Sequence, residues 1–149
     1  GNALRLQGAY AEAEDLLRES LVLCTDNDYT YLSIMALRNL AMVNFMQGHR
    51  AATQKAYHRA LQIALEAQLG DLALLVVTEA AAIAAPQDPL QAIAWLTLVM
   101  HHPDASAETR RKAATQRGPL VTAAPSPAAS AAQARGMALA VEDVLGALA

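Results

Sequence analysis

The sequence predicts an all-α fold, a repeat array of helical hairpins closed by an irregular helical end. Three observations predict it. The chain of 149 residues is 54% hydrophobic but only 4% aromatic, so its apolar content is mostly alanine and leucine. Those residues favour helices and lack the β-branched and aromatic bias of sheets. The dipeptide Gln-Gly recurs forty residues apart, at Gln7-Gly8 and Gln47-Gly48, and an amphipathic stretch follows each. In those stretches Ala13, Leu17 and Ser20-Leu21 fall opposite Thr53, Tyr57 and Ala60-Leu61, a spacing that lies on one helix face.

The first unit, residues 1–24, pairs a short first helix over GNALRL with a second over AEAEDLLRESLVL. Gly8 makes the turn between them, since glycine adopts positive φ without strain. The second unit, 29–69, repeats this plan with LRNLAMVNFM, Gln47-Gly48 and AATQKAYHRALQIAL. A third and degenerate unit, 71–102, has a first helix from Asp71 to Ala85, a turn at Pro86-Gln87-Asp88 and a second helix from Pro89 to His101. Asp88 is an N-capping carboxylate with proline at the first helical position behind it, and Ala92 and Leu96 repeat the small-then-large pair.

Residues 104–149 lose the repeat and read as the cap of the array, because terminal units are atypical and shield the last apolar face. Ser106 caps a polar helix from Ala107 to Gln116, and GPLVTAAPS at 118–126 is a proline-containing linker. Ser126-Pro127 begins a helix that Gly136 stops, and a last helix runs from Val141 to Leu148. The opening GNALRLQG falls in the middle of a helical pattern, which reads as part of a longer protein.

Charge and motif content exclude several function classes. The net charge is −3 and the eleven basic residues are scattered, so no face is built for nucleic acid. Arg110-Arg111-Lys112, beside Glu108, reads as a solvated helix face. Cys24 is the only cysteine, which rules out an intrachain disulfide and a Cys-based zinc site and fits a reducing, cytoplasmic setting. No run is apolar enough for a membrane span; the most hydrophobic one, Leu72 to Ala85, holds Glu79 and ends at Pro86. His101-His102 are neighbours whose side chains diverge by about 100° on a helix, so they do not make a metal site. Glu12, Glu14, Asp15 and Glu19 share one amphipathic helix and read as its solvated face, with Glu14 and Arg18 spaced for an ordinary i, i+4 pair. Cys24, Ser20 and Ser33 have no base placed near them. The expectation is a protein with no catalytic residues, no cofactor and no metal.

The residues that carry the repeat resemble a known motif. Small-or-Gly, then Gln-Gly-x-Tyr-x-Glu-Ala, then Leu-x-x-Ser-Leu is similar to the tetratricopeptide (TPR) repeat. Leu37, Leu40 and Ala41 stand where that motif puts its first-helix large-large-small set, and Ala13 and Thr53, then Leu17 and Tyr57, at its second-helix positions. The resemblance implies a right-handed helical-hairpin solenoid. Its forty-residue period resembles the long repeats that end bacterial STAND-type signalling NTPases and related transcriptional regulators, and HHPDASAETRRKA with ARGMALAVEDVLGAL resembles their C-terminal finish. The motif's late proline is missing after both repeats, Thr53 replaces the small alanine, and Gln87 stands in place of the third turn glycine. No Walker-type phosphate loop occurs in the chain.

In stacked helix pairs the first helices line the concave surface. Met35, Arg38, Met42, Phe45 and Met46 therefore face a groove, joined by Asn2, Arg5 and Leu6 of the first unit. Asn2, Arg5, Arg38, Met42 and Phe45 are the expected partner-binding set, with Arg5, Arg38 and Phe45 converging. The partner is a protein or peptide, or the NTPase core of the same parent protein; neither nucleic acid nor membrane is a direct partner. The alternative is a structural spacer or oligomerisation module that self-associates through an exposed N-terminal repeat edge.

Overall fold

The computed structural model describes residues 2–149. They form eight α-helices, and no strand occurs among the described residues. The helices are α1 (Asn2–Asp26), α2 (Thr30–Met46), α3 (Arg50–Glu66), α4 (Gly70–Ala84), α5 (Pro89–His101), α6 (Ala107–Ala123), α7 (Ser126–Ala138) and α8 (Val141–Leu148). The chain divides into two compact units, one of Gly1–Gln68 with Leu148–Ala149, the other of Leu69–Ala147. The division falls between the second and third expected repeats, so α4 and α5 belong with the tail helices and not with α1 to α3.

In the first unit α2 is central and packs on both α1 and α3. Ile34, Leu37, Leu40 and Ala41 of α2 and Ala56, Tyr57, Ala60 and Leu61 of α3 are buried, as the helical spacing requires. Thr53 is buried as well, and its hydroxyl donates to the carbonyl of His49 (2.8 Å), which satisfies the polar atom that replaces a methyl there. On α1 only Cys24 is fully buried.

The expected turn at Gln7-Gly8 does not form: α1 runs unbroken through Gly8. Gly48, by contrast, has φ of 78° and ends α2, with the His49 N–H bonded to the Asn44 carbonyl (2.9 Å). The dipeptides are the same and the contexts are not. Both sides of Gly48 carry stretches with buried apolar faces, Ile34, Leu37 and Leu40 before it and Ala56, Tyr57 and Leu61 after it, whereas on α1 no residue from Asn2 to Leu23 is buried, so no packed face calls for a break at Gly8. Good helix formers on either side, Leu6-Gln7 and Ala9, then carry the helix across the glycine at a cost of about 1 kcal/mol. Positive φ recurs at Asp28 (57°) and Gln68 (59°), so α1, α2 and α3 end on left-handed residues spaced by twenty positions.

In the second unit α5 is central, with α4, α6 and α7 against it, and Ala92 through Val99 are all buried. Asp88 caps α5 by accepting from the Gln91 N–H (3.1 Å), and Ser106 caps α6 by accepting from the Thr109 N–H (3.2 Å). The expected linker at 118–126 is mostly helix, since α6 continues through Gly118 and Pro119 to Ala123. A proline normally forces the residue before it out of the α region by clashing with its Cβ, and Gly118 has none. The Thr122 hydroxyl also bonds the Gly118 carbonyl (3.0 Å), tying the two sides of the proline together. Gly136 does not stop α7, which extends to Ala138. A Cβ there would meet the Ala94 carbonyl and Thr97 of α5, so this glycine lets the two helices approach closely.

Candidate partner-binding face

α2 is rich in apolar residues with little separation of apolar from polar positions around its circumference, and its polar residues include Arg38 and Asn39. Only one side is buried. Ser33, Ile34, Ala36, Leu37, Leu40, Ala41 and Asn44 form the covered face, and the uncovered side holds Tyr31, Met35, Arg38, Met42 and Phe45, flanked by Leu32, Met46 and the exposed Asn39. Tyr31 is 58% exposed, Met42 45% and Phe45 41%. Met35 and Arg38 are half-buried between them, and Arg38 Nη1 lies 3.0 Å from the Met35 sulfur, so the guanidinium lies along the apolar stripe.

Of the expected binding set, Arg38, Met42 and Phe45 share this face. Asn2 and Arg5 do not join them. α1 and α2 are antiparallel across the short turn at Asn27–Tyr29, and Gln47 Nε2 donates to Glu14 Oε2 (3.1 Å), which sets their register. Arg5 precedes Glu14 by nine residues and Arg38 precedes Gln47 by nine. In antiparallel helices these offsets add, and at about 1.5 Å per residue Arg5 and Arg38 stand roughly 27 Å apart along the axis. The convergence expected of Arg5, Arg38 and Phe45 is absent because it assumed a turn at Gly8 that folds the first residues back. The first turns of α1 instead reach the turn between α2 and α3. There Leu6, Tyr10, Met46, Gln47 and His49 line an open cavity of about 440 Å³.

Tyr31 and Leu32 were not in the expected set. The signal for Tyr31 is in the sequence: Tyr31, Met35, Arg38, Met42 and Phe45 are spaced four, three, four and three residues apart. That repeat is the seam of a helix that packs lengthwise on another helix.

Several other polar groups are engaged structurally, while Asn44 Oδ1 and Gln116 Oε1 are buried without a hydrogen bond. Arg18 bonds Glu14 through Nη2 at 2.8 Å, the i, i+4 pair read from the sequence. Bonds from Arg18 and then Gln47 hold the Glu14 carboxyl below the ordinary range, outweighing the burial that raises it, with the charges of Arg18 and His49 adding. In the second unit Asp71 accepts from the Ser106 N–H (2.7 Å). Burial raises its pKa, and the bonds from the Ser106 backbone and the Thr109 and Ser106 hydroxyls together lower it further than burial lifts it. A second open cavity, about 360 Å³, lies beside Trp95 and Arg135. The carboxylates on its wall cap helices, Asp88 at Gln91 and Asp143 at Ala140 (2.8 Å). His102 Nδ1 accepts from the Asp104 N–H (3.0 Å), Arg110 bonds the His102 carbonyl (2.9 Å), and Lys112 pairs with Glu108 (3.6 Å). Among the described residues no three His, Cys, Asp or Glu side chains gather as metal ligands, and no helix is long and apolar enough to cross a membrane.

No family model, curated protein or solved structure matches this chain.

Proposed function

We propose that this chain is a non-catalytic, TPR-type binding module that engages a protein or peptide through the outward face of α2, and that it serves as the regulatory arm of a larger bacterial signalling NTPase or transcriptional regulator. The observation that carries the reading is the exposed, methionine-rich and aromatic side of an otherwise buried helix. Methionine adapts to irregular partners, and an amphipathic helix laid into such a face is a recurring mode of recognition. The repeat reading is supported by the left-handed residues at Asp28, Gly48 and Gln68 that end α1, α2 and α3 at twenty-residue intervals. As an arm, the module gives its parent differential affinity between two states and performs no chemistry itself. A selection of displayed helical peptides on the folded chain tests this. Enriched peptides are expected to bind at least tenfold more weakly to Met42→Asp and Phe45→Asp variants of unchanged helicity. If nothing is enriched, or if binding ignores both substitutions, the α2 face is not a binding site.

A second reading, an oligomerisation spacer, is favoured by a different surface. Leu16 and Leu23 of α1, one heptad apart, are 65% and 64% exposed on a side that neither α2 nor α3 covers. Light scattering of the chain and of Leu16→Lys/Leu23→Lys separates the two readings. An assembly that the double substitution dissolves favours the spacer, and a monomer in both forms removes it.

A further inference from the structure

We infer that the cavity where α5, α7 and α8 meet binds a small zwitterion, a free α-amino acid with an apolar side chain. The site lies within the second unit, so it stands or falls apart from the α2 face. Three observations carry it.

The first is a donor without an acceptor. Trp95 is 5% exposed and borders the open cavity of about 360 Å³. Among the described residues its indole Nε1 has no hydrogen-bond partner, yet it is not one of the atoms sealed from solvent. The ring is therefore held by packing while its N–H stays open at the cavity wall, a fixed donor for whatever enters. The volume falls within the range of small-molecule sites.

The second is the set of charges around that donor. Arg135 of α7 reaches the Leu90 carbonyl through Nη2 (3.5 Å), which uses one of its five N–H groups. Asp88 and Asp143 stand on the same wall. Each accepts a backbone N–H through one carboxylate oxygen, and the other oxygen has no partner among the described residues. The third is the lining between the charges, where Leu90, Ala94 and Leu139 are apolar.

Together these groups select the ligand by elimination. A simple anion suits Trp95 and Arg135 but meets two carboxylates for one guanidinium. A simple cation suits the carboxylates but gives the indole N–H no acceptor, and the ring offers its N–H edge where a cation needs the face. A zwitterion answers both needs. Its carboxylate accepts from Arg135 and from Trp95 Nε1, and its ammonium donates to the free oxygens of Asp88 and Asp143. Its side chain then covers the apolar lining.

Trp95 is the only tryptophan of the chain, so its emission reports on the cavity directly. Titration with L-leucine is expected to give a saturable change in emission, matched by calorimetry. Leucinamide lacks the carboxylate and N-acetylleucine lacks the ammonium, and each mimics one end of a peptide. Both are expected to bind at least about tenfold more weakly than leucine, because each loses a charge-assisted hydrogen bond. Arg135→Gln is expected to erase the preference for leucine over leucinamide and to leave the binding of leucinamide unchanged, a pattern that a merely structural role would not give. Trp95→Phe, read by calorimetry, is expected to weaken leucine about tenfold. Circular dichroism verifies that both variants remain helical. No saturable heat or emission change with leucine overturns the inference. Leucinamide or N-acetylleucine binding as tightly as leucine also overturns it, since the site then reads a single charge or a peptide end. Equal losses of leucine and leucinamide in Arg135→Gln overturn the capture of the carboxylate by Arg135. None of these results bears on the α2 face, which the peptide selection judges separately.

Discussion

A Cβ on Gly136 would press against the Ala94 carbonyl and stand 2.7 Å from Cβ of Thr97, both on α5, so α7 can lie where it does only because this residue has no side chain. Thr97 is itself committed: its hydroxyl donates to the Ile93 carbonyl (2.8 Å) and accepts from Arg117 Nη1 (3.0 Å). Neither obstacle is the free end of a flexible chain, so neither yields cheaply. Helix propensity alone makes Gly→Ala stabilising by about 1 kcal/mol. Overpacking costs about 1–3 kcal/mol. Gly136→Ala is therefore expected to lower stability in urea unfolding, and a gain would mean that α7 does not sit this close to α5. From the sequence this glycine reads as a helix stop, since the close approach that explains it depends on α5, some forty residues earlier in the chain.

Helix ends show most clearly how far local signals reach. Asp88-Pro89 and Ser106 cap helices as read, because a cap is settled by atoms within three or four residues; α7 starts one residue before the expected first position, with Pro125 at the cap, Ser126 inside the helix and no side-chain cap bond. At Gln7-Gly8 and Gly118-Pro119 the turn and the linker that the sequence predicts do not form, because there glycine and proline are carried inside helices by what lies around them. The two Gln-Gly dipeptides give a paired test. Gly8 is helical, and a methyl added to it meets nothing within 4 Å. Gly8→Ala is expected to stabilise the chain by about 0.5–1 kcal/mol. Gly48 has φ of 78°, where an L side chain is strained, and Gly48→Ala is expected to destabilise by about 1–2 kcal/mol. Thermal unfolding of both variants decides the matter; a loss at Gly8 equal to that at Gly48 would restore the turn that the repeat suggested. The candidate face was legible to the same degree. Arg38, Met42 and Phe45 followed from periodicity within one helix. The separation of Asn2 and Arg5 from them depended on whether α1 was one helix or two.

For the molecule as a whole, each compact unit holds among its described residues one carboxyl whose affinity for protons is lowered by folding, Glu14 in the first and Asp71 in the second. The two do the same kind of work. Glu14 ties α1 to Gln47 at the end of α2, and Asp71 ties α4 to the first residues before α6. Because each titrates lower in the folded state than in the unfolded, the unfolded chain binds more protons as the solution is acidified. The stability that the two groups contribute is therefore complete above their ordinary values of 4.5 and 3.8, and is lost as the pH falls through the lower folded values. The loss in this window is therefore assigned to the two carboxyls. Melting temperatures of the parent, Glu14→Gln and Asp71→Asn at pH 7 and pH 3 measure it. Each substitution is expected to lower the melting temperature at pH 7 and to narrow the gap between the two pH values. The double variant is expected to narrow it by about the sum of the two, since the groups lie in separate units and share no partner. A gap that survives both substitutions undiminished would place the acid sensitivity elsewhere in the chain.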